Sequence, residues 1–100
     1  MSYKVIMTWD VPPERETEYF EFLVREFIPS VQRLGFELTD AFATMYGNQP
    51  QILVGATMPT LLNVQQTLNS SEWQSLYNQL SDFITNYTQK VVVAQGGFQF

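Results

Sequence analysis

From Tyr3 to Asp10 the chain alternates: Tyr3, Val5, Met7 and Trp9 share one face, and Lys4, Ile6, Thr8 and Asp10 share the other, which is the period of a β-strand. The first row is wholly apolar and predicts the face that lies under helices. The second is mixed and predicts the face turned toward a partner. Val11-Pro12-Pro13 stops the strand, since proline lacks the ladder donor, and Glu14, Glu16 and Glu18 then set acids near the positive end of a helix dipole. At about 100° per residue, Phe20, Leu23, Val24, Phe27, Val31 and Leu34 fall in one inward stripe, while Glu18, Glu21, Arg25, Gln32 and Arg33 lie away from it. Phe22 falls on the outer side, where it reads either as an ordinary lone exposed ring or, beside the proline kink, as a contact patch. Pro29 predicts a kink or break near Phe27-Ile28, and Gly35 is the residue that takes a left-handed conformation past the helix end.

Phe36 to Tyr46 and Gln51 to Met58 read as a second and third strand joined through Gly47-Asn48-Gln49-Pro50, hence as antiparallel neighbours. Thr60 caps a short helix in which Leu61, Val64 and Leu68 recur. Ser71 and Gln74 have the capping-box spacing, and Trp73, Leu76, Tyr77, Leu80, Phe83, Ile84 and Tyr87 carry a helical stripe as far as Tyr87. Lys90 to Gln95 is a last strand, followed by Gly96-Gly97 and a terminal Phe98-Gln99-Phe100. The order β-α-β-β-α-β predicts one α+β domain over residues 1–100 with the ferredoxin-like fold, a four-stranded antiparallel sheet with the helices on one face. Strands two and four carry apolar residues at both parities, Phe36, Leu38 and Phe42 against Ala41, Ala43 and Met45, and Val91 and Val93 against Val92 and Ala94. That pattern predicts a sheet covered on both faces, with a second copy of the chain supplying the second cover.

The Pro-marked start of the first helix, the Tyr46-Gly47-Asn48 hairpin and the Ser71-Glu72-Trp73 opening of the last helix resemble the dimeric α/β-barrel superfamily. The nearest branches are the stress-responsive, NIPSNAP-like and antibiotic-biosynthesis-monooxygenase-like ones. The resemblance implies two subunits whose sheets face each other to close a barrel. It also places the chain beside cofactor-free quinone-forming monooxygenases, haem-degrading oxygenases, chlorite dismutases, muconolactone isomerases and proteins without known activity. The haem-using branches rely on an axial histidine, and this chain has none.

Composition narrows the function further. Ten acids against five scattered bases give a net charge of −5, which argues against nucleic acid or an anionic membrane surface as partner. The longest apolar runs, Ile52 to Ala56 and Val91 to Ala94, are far too short to span a bilayer, so a soluble cytoplasmic protein is expected. The absence of Cys and His removes disulfides, Cys/His zinc sites and Ser/His/Asp or Cys/His catalysis. Neither a metal nor a cofactor is expected.

Two carboxylates are candidates for proton transfer. Asp10 ends the first strand beside Trp9, and Asp40 stands among Leu38, Ala41 and Phe42 in the second. Inside a closed barrel the pKa of Asp40 would rise and make it a base near neutral pH; on an edge strand facing water, or at a bulge, it is an ordinary carboxylate. Glu14, Glu18 and Glu21 read as a solvated helix face with Arg25, and Lys4 as a buried or bridging amine. Trp9, Tyr19, Tyr46, Trp73, Tyr77 and Tyr87 join ring surface to N–H and O–H groups, which suits a flat apolar or aromatic ligand between sheet and helices. The same spacing also suits the packed stripe of a core. The readings are therefore a homodimeric small-molecule-binding protein, a cofactor-independent monooxygenase or isomerase acting on a polycyclic or lactone-like substrate, and a ligand-free assembly or regulatory module.

Overall fold

The computed structural model describes residues 2–46 and 49–94, with the side chains of 45, 46, 49 and 50 outside that description. The expected turn at Gly47-Asn48 and the terminal Phe98 and Phe100 thus lie outside the described residues. The strands are β1 (Ser2–Asp10), β2 (Glu37–Tyr46), β3 (Gln49–Met58) and β4 (Thr85–Ala94). They form one sheet in the order β2-β3-β1-β4, antiparallel at every pairing. The helices are α1 (Glu16–Phe22), α2 (Ile28–Arg33), α3 (Leu61–Leu68) and α4 (Ser71–Ser81). None of them is long and apolar enough to cross a membrane. This is the ferredoxin-like arrangement.

β1 is central because both its faces are needed. Val5, Met7 and Trp9 are buried with Val54 and Ala56 of β3 against Tyr19, Phe27, Val64 and Leu80 from the helical layer. Lys4 and Ile6 point to the opposite, helix-free face and are also nearly buried.

Pro29 does not break the first helix. A π-helical turn, Leu23–Phe27, joins α1 to α2, and the Ile28 N–H donates to the Leu23 carbonyl five residues back. The wider turn relieves the clash of a proline ring with the carbonyl four residues earlier. It also inserts one residue, which rotates everything before it relative to everything after it by about 100°. The inward stripe therefore differs from the uniform α-helical one. Tyr19, Phe27 and Val31 are buried, Phe22 packs against the core and stacks on Phe83 at 5.2 Å, and Phe20 and Val24 are turned out with 45% and 64% exposure. Gly35, at φ 103°, closes the helix as expected.

A second inserted residue lies in β2. Leu38 pairs with Ala56 and Asp40 with Gly55, so Thr39 is the extra residue of a β-bulge. The bulge moves the helix-facing row from even to odd positions, from Leu38 to Ala41, and sends Asp40 and Phe42 to the open face. Part of the two-faced apolar pattern of β2 thus comes from this shift of parity.

The last helix ends at Ser81, not Tyr87, and β4 begins at Thr85, not Lys90. Ser70 caps it, its hydroxyl accepting the Trp73 N–H at 3.2 Å, while Gln74 donates to the Leu68 carbonyl instead of completing a box with Ser71. Phe83 and Tyr87 keep helical spacing because the turn after Ser81 and an irregularity in β4 return both rings to the covered face. Between the pairs Thr8↔Thr88 and Asp10↔Thr85, β4 has one residue more than β1, and Asn86 takes a left-handed φ of 57°, a conformation asparagine tolerates better than most residues.

Candidate functional site

Trp9 and Tyr19 are fully buried and satisfy one another: the indole Nε1–H donates to the Tyr19 hydroxyl at 3.0 Å. Phe27 meets the same indole edge-on at 5.7 Å, and Tyr87 stacks on it at 6.0 Å. Burial pushes the Tyr19 phenol up to about 12, against the opposing effect of the Trp9 hydrogen bond. This pair is core.

Trp73 is also in the core, 3% exposed, but with the half-buried Tyr77 it reaches a groove. With Leu68 and Gln65 of α3, Asn69 and Gln74, and Tyr87 and Gln89 of β4, they line this groove, of about 480 Å³, between the helices and the edge strand. The volume lies within the usual range of small-molecule sites. The Tyr77 and Tyr87 rings meet edge-on at 4.9 Å, and the Tyr87 hydroxyl donates to Gln89 Oε1 at 2.7 Å. Burial raises the Tyr87 pKa well above the ordinary phenol value, with the neighbouring Tyr77 adding to the rise. Its hydroxyl is therefore a neutral hydrogen-bonding group through the physiological range.

Of the six aromatic candidates, the structure brings Trp73, Tyr77 and Tyr87 together at a groove and puts Trp9 and Tyr19 in the sealed core behind it. The side chain of Tyr46 lies outside the described residues. Tyr87 is legible as an aromatic candidate but not as part of a strand, and Gln89 is not legible at all, because extending the last helix hides β4. Sequence reading also missed the amides of Gln65, Asn69 and Gln74, whose signal was only that a polar helix face carried no charge.

The carboxylates sit elsewhere. Asp10 accepts a hydrogen bond from Asn86 Nδ2 at 2.8 Å, which fastens β1 to the irregular start of β4. Asp40 reaches across Gly55 on the open face to Lys4 Nζ at 2.7 Å, with both side chains largely buried, 7% exposed for Lys4 and 13% for Asp40. Gly55 gives the carboxylate its room: a Cβ on it would lie 2.5 Å from Asp40 Oδ2 and 3.2 Å from Asp40 Cβ, so Asp40 would have to move. The Lys4 hydrogen bond holds the Asp40 carboxyl below the ordinary carboxylate value, with Thr39 and the Lys4 charge adding to the effect against partial desolvation. The rise expected inside a closed barrel belongs to the dimer; within the single chain Lys4, one row away, neutralises the carboxylate and draws it down.

No protein-family model and no curated protein matches the sequence. Solved structures do. A NIPSNAP family protein from Agrobacterium tumefaciens superposes with a TM-score of 0.72 at 17% identity, over 95% of this chain and 87% of that one. A NIPSNAP-like domain protein from Burkholderia xenovorans gives 0.71 at 16% identity, over 98% and 89%. An antibiotic biosynthesis monooxygenase-like protein from Nitrosomonas europaea gives 0.67 at 9% identity, over 95% and 91%. At such identities the likeness speaks for backbone architecture alone, and on that ground this chain has the ferredoxin-like fold that NIPSNAP and antibiotic biosynthesis monooxygenase-like proteins share.

Proposed function

We propose that the chain is a homodimeric protein that binds a small, flat, apolar or aromatic molecule in the groove between α3, α4 and β4. The observation that carries the reading is the composition of that groove: Tyr77, Tyr87 and the otherwise core-packed Trp73 line it together with the neutral amides of Gln65, Asn69, Gln74 and Gln89. Aromatic walls give a planar ligand its burial, and the amides fix its orientation by hydrogen bonds. No carboxylate, lysine or arginine is among the residues lining it. Its ionisable groups are two phenols, one with its proton held by burial, so the groove favours binding over proton transfer at neutral pH.

The dimer reading is supported by the open face of the sheet, where Phe42, 52% exposed, stands in register beside Leu53. A second copy packed on this face would bury an apolar row that the helices do not reach. Titration with uncharged 2-naphthol, followed by the two indole N–H resonances, tests the ligand reading. Saturable movement of the Trp73 signal, larger than that of Trp9 and weakened by Tyr77→Ala, is the expected result; unmoved indoles at the solubility limit of the probe would refute it. Phe42→Asp is expected to convert the dimer to an 11.6 kDa monomer in sedimentation. A wild-type chain that is already monomeric at micromolar concentration would dispose of the dimer and leave the groove untouched.

A further inference from the structure

The open face carries its own cavity, on the side of the sheet away from the groove. Its volume is about 320 Å³, and its walls come from Ile6 and Thr8 of β1, Leu53 of β3, and Thr88, Gln89 and Lys90 of β4. The register explains how these residues meet. Leu53, Thr8 and Thr88 are successive partners across three strands, and Gly55, Ile6 and Lys90 form the next row. Ile6 and Leu53 make the hydrocarbon floor, and the polar groups belong to Thr8, Thr88 and Lys90.

Two features give those polar groups a preference. The first is charge. Asp40, the carboxylate at the end of the Gly55 row, is held by Lys4, while Arg15 and Arg25 pair with Glu18 and Glu21 on the helix. Among the described residues Lys90 forms no ion pair, and it is one of the residues lining the cavity. The second is hydrogen-bond arithmetic. The Thr8 and Thr88 hydroxyls are hydrogen-bonded to each other. In such a pair one hydroxyl donates, and the one that accepts keeps its own proton for a third partner. The cavity therefore presents a cation and an O–H donor above an apolar floor.

We infer that this cavity is a second binding site, specific for a compact organic anion: a carboxylate attached to an aromatic or branched hydrocarbon body. The carboxylate accepts from Lys90 Nζ and from the free threonine proton, and the hydrocarbon lies on Ile6 and Leu53. A neutral alcohol of the same shape would leave the ammonium without its charge partner, which separates this site from the uncharged groove on the helical side.

The probe is 2-naphthoate, titrated into the full chain with methyl and amide resonances assigned. The expected result is saturable movement of the Ile6 methyls and of the Thr88 and Lys90 amides, with affinity falling as salt is raised. Lys90→Met should weaken binding about tenfold or more, as loss of a charged hydrogen bond does. Lys90→Arg should restore most of it, and Thr88→Val should weaken it without altering the circular dichroism of the fold. Unchanged affinity in Lys90→Met, or movement confined to Trp73, would overturn the proposal. This is the face that the proposed second copy covers, so in the dimer the anion would lie between the two sheets, and sedimentation of the Lys90→Met chain separates loss of the site from loss of the dimer; 2-naphthol reports on the groove on the other face.

Discussion

The two faces of β1 bury polar groups by opposite means. On the covered face, Trp9 and Tyr19 are fully buried and joined by a neutral N–H···O bond. On the open face, Lys4 and Asp40 are nearly as buried but charged, and their pairing spans a strand with Gly55 beneath it. A neutral pair costs little to desolvate and fits within a packed aromatic core; a charged pair must be held at short range or its desolvation is unrecovered. One strand thus uses ring surface where helices exclude water and an ion pair where no helix covers it. The difference predicts that covered-face mutants fail by cavity formation and open-face mutants by electrostatics.

The sharpest break in that contrast is Trp9→Ala, which should cost about 4 kcal/mol by emptying the covered core, read as a shift in urea midpoint at unchanged slope. Gly55→Ala follows at about 3 kcal/mol: its methyl displaces the Asp40 carboxylate, combining overpacking with a disrupted ion pair. The companion change Asp40→Ala in the Gly55→Ala background should recover part of that loss, since the clashing carboxylate is gone; no recovery would place the strain in the backbone instead.

Asp40→Asn should cost about 2 kcal/mol at neutral pH, the worth of a charged hydrogen bond. The sign with pH follows from the lowered carboxyl: the folded state favours the ionised form, so the contribution is present above the unfolded value near 3.8 and is lost as pH falls through the lower folded value. Wild type and variant should therefore converge in acid unfolding below that point. Tyr19→Phe should have the smallest effect, about 1 kcal/mol, from stripping the Trp9 N–H of its acceptor. Here the sign is reversed. The Tyr19 phenol rises from 10.0 to about 12 in the fold, so its contribution is intact below pH 10 and is lost as pH climbs toward 12, and the variant should lack that alkaline component.

Much of this contrast can be read from the alternation of β1, because a strand with no insertion keeps its faces for its full length. Order and antiparallel pairing were likewise legible in strand and helix periods. What escaped reading came from single inserted residues. The π turn at Leu23–Phe27 exchanged Phe20 and Val24 for Tyr19 and Phe22, and the Thr39 bulge reversed parity along β2. Pro29 signals an interruption but not which way the helix absorbs it. The irregularity at Asn86 let Tyr87 mimic a helical position, which hid the strand wall of the groove. The Lys4–Asp40 pair is not legible in the sequence, because it depends on a register that no single strand contains.

The π turn also bears on how this chain should be aligned with its structural kin. A counterpart helix built wholly from α turns would be one residue shorter while presenting the same buried rings. The correct alignment would then open a gap between Phe22 and Ile28, inside a helix, where a gap is ordinarily penalised most. Closing that gap would match Phe20 and Val24 to buried positions and misplace every residue from Met1 to Phe22 by one.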